Sequence, residues 1–251
     1  MLKVAVLFTI VNVALAIHSL DDQHLKIWGG NDTDISAHPW TVSLQNWNNS
    51  FCGGSLISST WVLTAADCVS GINLNVTELT IRAGSSQPDQ NGQLVEVSNI
   101  LVNPKYNSVN MENDIALLQL KSPVTVESAK VASLPKAGEE LDEGTAVNVV
   151  GWGVEKNSTG ASILQLVELL VINRNACADQ YTGTSVEVPD TKFCARGKDQ
   201  DVCMGDFGGP VAVDNVVYGV ISPGLGCEAD YPAVFTKVSK YTSWINEVTE
   251  I

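Results

Sequence analysis

Short runs of alternating apolar residues, each closed by Gly, Pro, Asn or Asp, recur along almost the whole chain. They cover Trp40–Leu44, Leu79–Ala83, Leu94–Val102, Ile115–Leu120, Ala146–Val150, Leu164–Val171, Val211–Ile221 and Ala233–Val238. Successive side chains of a strand face opposite ways, so this period of two, broken by turn residues, predicts an all-β sandwich or barrel. Helical spacing appears only at the end, where Val238, Tyr241, Ile245 and Val248 predict a helix over about 239–251. Between Pro135 and Gly144 the alternation stops and four acidic residues gather, which reads as a connection between two halves. The first half then runs to about 137 and the second over about 138–238. No period short enough for a solenoid is present.

The amino terminus is of another kind. One early lysine, an apolar run and a small-residue ending at Ala14-Leu15-Ala16 read as a secretory signal over 1–16, with a propeptide over 17–26. The run is shorter than the ~20 apolar residues a membrane-spanning helix needs. Residues 27–251 are long enough to bury a core as one compact unit. Six cysteines suit an oxidising, extracellular compartment, although spacing leaves their pairing open. Asn31, Asn48, Asn75 and Asn157 each head an Asn-X-Ser/Thr triplet and are candidate glycosylation sites. The net charge is −14, from 14 basic and 28 acidic residues. Such a surface disfavours nucleic acid and anionic membranes, keeps the chain soluble, and attracts basic protein surfaces. Neither membrane insertion nor self-association is expected.

Six segments are more specific. In chain order they are Ile27-Trp-Gly-Gly30 after Lys26, Cys52-Gly-Gly-Ser-Leu56 leading to Trp61-Val-Leu-Thr-Ala-Ala-Asp-Cys68, Asn113-Asp-Ile-Ala-Leu117, Gly151-Trp-Gly153, Asp201-Val-Cys-Met-Gly-Asp-Phe-Gly-Gly-Pro210, and Gly219-Val-Ile-Ser-Pro-Gly-Leu-Gly-Cys227. From Ile27 to the end the chain resembles the chymotrypsin/trypsin family of serine proteases. The resemblance implies two six-stranded antiparallel β-barrels, with the C-terminal helix against the second. It also implies the disulfides Cys52–Cys68, Cys177–Cys194 and Cys203–Cys227, each stabilising by about 3 kcal/mol in the chain-entropy view.

The family's chemistry needs a nucleophilic serine, a histidine that takes its proton and an aspartate that orients the histidine. At the implied positions stand Phe207, Asp67 and Asp114. A phenyl ring has no nucleophilic atom. A carboxylate that titrates near about 4 accepts protons poorly at neutral pH and cannot return one to a leaving amine. Asp67 and Asp114 are expected to lie close enough for one to raise the other's pKa. His18, His24 and His38 all lie upstream, so none replaces the missing base.

Other parts carry over residue by residue. Ile27 and Asp206 match the pair formed when a zymogen is cut, here after Lys26. Gly205 matches one donor of the oxyanion hole. Asp201 matches the acidic floor of the primary pocket, and Gly224 and Gly226 match its walls. Ala233 stands where trypsins have glycine and Pro223 where they have tryptophan, so the pocket is expected to be obstructed. The loop Gly84–Gln93 carries a single carboxylate, too few for calcium, and no metal or cofactor is expected.

The short propeptide, the Leu-Lys-Ile junction and the double loss in the triad also resemble the inactivated serine protease paralogues of the scabies mite, relatives of the mite trypsin-like allergens. That resemblance implies a secreted pseudoprotease that binds host extracellular proteins, most of all complement components. A decoy for protease inhibitors and an inert secreted paralogue are the alternatives.

Overall fold

The computed structural model describes residues 30–70, 76–153, 161–198, 202, 204–224 and 231–251. Its first half is a closed barrel of β2 (Thr41–Asn46), β3 (Asn49–Ser58), β4 (Trp61–Thr64), β5 (Leu79–Ala83), β6 (Gln93–Val102) and β7 (Ala116–Leu120). Antiparallel register closes it: Leu44 faces Cys52 and Ile81, Ser55 faces Leu63, Leu63 faces Leu117, and Val95 faces Ile81. The alternating residues meet inside as a core that includes Leu44, Leu56, Leu63, Ile81 and Leu117.

The second half closes in the same way. Its strands are β8 (Ala146–Gly151), β9 (Gln165–Ile172), β10 (Lys192–Arg196), β11 (Pro210–Val213), β12 (Val216–Ile221) and β13 (Ala233–Lys237). Val149 faces Val167 and Val211, and Phe235 faces Phe193 and Ile221. The Phe193 and Phe235 rings pack 5.2 Å apart at the centre of this core. The expected pair of six-stranded barrels is therefore present.

Local chemistry departs from the alternation in three places. Val211–Ile221 reads as one strand but forms two, because Asp214 adopts φ 52° and turns the chain into a hairpin. β1 (Asn31–Asp32) is two exposed residues that cross to β9 of the second barrel, too short a strand to leave a periodic signature. The Gly-rich β3 pairs against β2 and β4 despite its weak propensity, and its glycine at 53 allows a close approach of the second barrel, since a Cβ there would come within 2.9 Å of the Gly209 Cα.

Residues 135–144 form no strand, and side chains pin them to the second barrel. Tyr218 donates to Glu139 at 2.8 Å, and Lys237 pairs with Glu140. The terminal helix α3 (Thr242–Thr249) follows a 3-10 turn at Val238–Lys240. It packs against the second barrel, as the resemblance implies, and reaches the first as well: Ile245, with Tyr241 just before the helix, shares a buried cluster with Ala212, Val217 and Val220 of the second barrel and with the first barrel's core. Two disulfides follow the implied pairing, Cys52–Cys68 and Cys177–Cys194, with Cα separations of 6.2 and 6.4 Å. Cys203 and Cys227 lie outside the described residues, as do Asn75 and Asn157.

Candidate functional site at the joint between the barrels

Asp114, just before β7, is fully buried where the barrels meet. Its Oδ1 accepts the main-chain N–H of Asp67 at 2.8 Å, and its Oδ2 accepts the Ser222 hydroxyl at 2.6 Å from beyond β12. Its carbonyl accepts the Thr236 hydroxyl at 2.9 Å, from β13. The carboxylate is thus held by one donor from the first barrel and one from the second. Burial pushes its pKa up to about 6, and the charge of Asp67 adds to the rise, while these donors and Lys192 oppose it.

Asp67 opens the short helix α1 (Asp67–Ser70) and is half-buried. The structure brings its backbone, not its carboxylate, onto Asp114. The carboxylate instead accepts the Tyr106 hydroxyl at 3.3 Å. The expected effect falls on Asp114, where the charge of Asp67 is secondary to burial. Tyr106 also approaches the Met111 sulfur at 3.5 Å, and burial together with the charges of Asp114 and Asp67 pushes its phenol up to about 12.

Phe207 sits in a tight turn whose main chain is tied to both barrels. Its carbonyl accepts from Gly53 N at 2.8 Å, and Gly208 N donates to the Ile221 carbonyl at 2.8 Å. The half-buried ring packs against both cores. With Tyr181, Val202, Ser222, Gly224, Tyr231 and Ala233 it lines a cavity of about 10 Å³. That is room for a single water at most. Tyr181, anchored by a 2.6 Å bond to the Pro232 carbonyl, lies where a Cβ on Gly224 would approach its hydroxyl at 3.4 Å. Ala233, the residue expected to obstruct, is buried in this wall, and Pro223 beside Ser222 is half-exposed. Asp201 and Gly226 lie outside the described residues.

Gly205, at φ 93°, precedes Asp206, whose fully buried carboxylate accepts Gly153 N at 2.8 Å. A Cβ on Gly153 would fall 2.2 Å from Asp206 Oδ2, so glycine is required there. Ile27, the expected partner of Asp206, is outside the described residues. Asn31 and Asn48 are both exposed.

Residues without an assigned role complete the site. Ser222 lies inside a motif already singled out, so its place was readable although its bond to Asp114 was not. Lys192 gave no signal at all. It is 1 % exposed and stands opposite Thr236 on β13, so its side chain enters the joint from the face that carries the Thr236–Asp114 bond. Its ammonium reaches the Asn110 carbonyl at 3.5 Å, and burial pulls its pKa below the ordinary lysine value against the pull of Asp114.

A trypsin family profile matches residues 27–245. A trypsin of Phaedon cochleariae is 40 % identical, over 91 % of this chain and 90 % of its own. The trypsin Blo t 3 of Blomia tropicalis is 36 % identical over 97 % of both chains. Among solved structures, the scabies mite inactivated protease paralogue S-D1 superposes with a TM-score of 0.83 at 28 % identity, covering 89 % of this chain and 97 % of that one.

Proposed function

This chain belongs to the trypsin family, and from that premise we propose that it is a pseudoprotease: a trypsin fold that binds proteins in the extracellular space without cutting them. The observation that carries the reading is the joint itself. Where the family's mechanism needs a base and a nucleophile, this joint holds Asp67 turned toward Tyr106 and a phenylalanine packed into both cores. Among the described residues neither of these two positions sets a base against a nucleophile, and the Ser222 hydroxyl, buried on Asp114, stands outside the family's nucleophile position, so acyl transfer lacks the first step of the family's route. Asp114 keeps donors from both barrels, which supports a scaffold retained after its chemistry was lost. The S-D1 paralogue, inactivated by its own title, supports the same reading, whereas the insect and mite relatives carry the name trypsin.

Such a chain acts through its outer surface. The described remnant of the primary pocket is too small for an arginine or lysine side chain, which disfavours a decoy that captures inhibitors through the cleft. Two disulfides suit export to an oxidising compartment. The net charge of −14 favours partners with basic patches. Host complement proteins are the proposed partners, on the resemblance to the mite paralogues.

Two measurements test this. After cleavage behind Lys26, the protein is expected to show no amidase activity on Arg or Lys substrates. Phe207→Ser is expected to stay inactive, since losing one triad member lowers turnover by about six orders of magnitude. Clear turnover by that single variant would overturn the reading of Asp67. Lysis of sensitised red cells in serum, titrated with the protein, tests the partner. Unchanged lysis at micromolar protein, with no complement component retained on the immobilised protein, would rule out the complement role.

A further inference from the structure

The tip of the β2–β3 hairpin presents an unusual pair. Asn46 and Asn49 pair across the ladder, leaving Trp47 and Asn48 as the two turn residues, at φ 52° and 63°. Asparagine tolerates that left-handed conformation, but a bulky aromatic residue adopts it only under strain. Trp47 is nevertheless held there, 73 % exposed as a residue. The neighbouring carboxamides behave differently. Asn49 Nδ2 reaches back to the Trp47 carbonyl at 3.4 Å, whereas Asn48 makes no side-chain hydrogen bond among the described residues. Ser50, two residues on, completes the acceptor triplet.

We propose that Asn48 carries an N-linked oligosaccharide and that Trp47 is the platform on which its first N-acetylglucosamine stacks. A pyranose offers a row of C–H groups on one face, and an indole offers a broad electron-rich face of matching size. Stacking would cover an apolar surface that is otherwise spent in water at a strained position. In the attachment step, Asn48 Nδ2 bonds to the sugar's anomeric carbon. The bond from that carbon to a polyisoprenoid diphosphate breaks, the diphosphate lipid leaves, and the amide proton passes to the transferase. Asn31, by contrast, lies in β1, paired with Leu166, and not in a turn. The proposal rests on export of the chain, which belongs to the reading above.

The full chain secreted from insect cells is compared as wild type, Trp47→Ala, Asn48→Gln and the double variant, with peptide mass mapping of each. The expected result is a mass increment on Asn48 and a Tm loss from Trp47→Ala larger by about 2–4 °C when Asn48 is glycosylated than when it is Gln. Turn strain is common to both arms and cancels. Trp47→Tyr is expected to keep most of the stacking. A secreted chain with bare Asn48 overturns the glycan and leaves export standing. An occupied Asn48 with equal Trp47→Ala losses in both arms overturns the platform. A chain that stays inside the cell, unglycosylated, overturns export and glycan together.

Discussion

The Asp114 corner and the Phe207 pocket stand side by side in the joint, and they have been treated in opposite ways. Around Asp114 donors from both barrels converge: Asp67 N, Ser222 Oγ and, on its carbonyl, Thr236 Oγ1. Around Phe207 the aromatic ring, with Tyr181, Val202, Ser222 and Ala233 among its described neighbours, leaves a cavity of about 10 Å³. The difference follows from the physics of buried groups. Replacing a hydroxyl by a ring at a cleft mouth adds apolar burial and leaves no group unpaired. Removing a buried, bonded carboxylate strands its donors, which makes Asp114 costly to lose whatever the chemistry of the joint.

The sharpest way to break this comparison is to empty the pocket. Phe207→Ala is expected to lose about 2–3 kcal/mol, or roughly 5–10 °C of Tm, because the ring packs against both cores. Combined with Ala233→Gly it should open room for benzamidine, read by calorimetry as a Kd of tens of micromolar or tighter, about −6 kcal/mol. The parent should bind far more weakly. Tight binding by the parent would mean that the pocket is not closed.

Acid tests the other side. Folded Asp114 holds its proton up to about pH 6, while the unfolded chain releases it near 3.8. Over that window the folded state binds more protons, so this group's contribution falls as pH rises from about 4 to 6, by at most about 3 kcal/mol. Exposed acids with lowered pKa, Asp34, Glu139 and Asp190, push the other way, so the difference from Asp114→Asn isolates the term. An asparagine can still accept from Asp67 N and donate to Ser222. The variant should gain on wild type above pH 6 and lose that advantage near pH 4. Parallel pH profiles would contradict a buried carboxylate with a raised pKa.

Ser222→Ala should lose about 1.5–2 kcal/mol at neutral pH, the range for a bond to a charged acceptor, and should raise the Asp114 pKa further. Tyr106→Phe should be nearly silent, about 0.5 kcal/mol, because its 3.3 Å bond reaches a half-buried carboxylate that water can serve. A large loss there would mean that Asp67 contributes more to the joint than its geometry suggests. Both are read by denaturant melts.

Much of this was legible beforehand, for identifiable reasons. Alternation marks strands whose two faces differ, so β5, β6 and β9 stand close to where it predicts them. It fails for β11 and β12, where apolar residues resume at once on the far side of a two-residue turn, Asp214-Asn215. Asp67, Asp114 and Phe207 were locatable because motifs a few residues long surround them. Lys192 was not, since its neighbours in sequence say nothing of the opposing strand that turns it inward.

By itself, the sequence determined what is local or ordered along the chain: strand periods, motif order, the cysteines available to pair, and the absence of a nucleophile at 207. Tertiary structure alone decided where side chains from distant segments meet. It turned the Asp67 backbone rather than its carboxylate to Asp114, set Lys192 in the joint, shared α3 between two cores, and packed the Phe207 ring against both. The physical reason is that a periodic pattern specifies which face of an element is buried, whereas a contact across more than a hundred residues is chosen only when both barrels close.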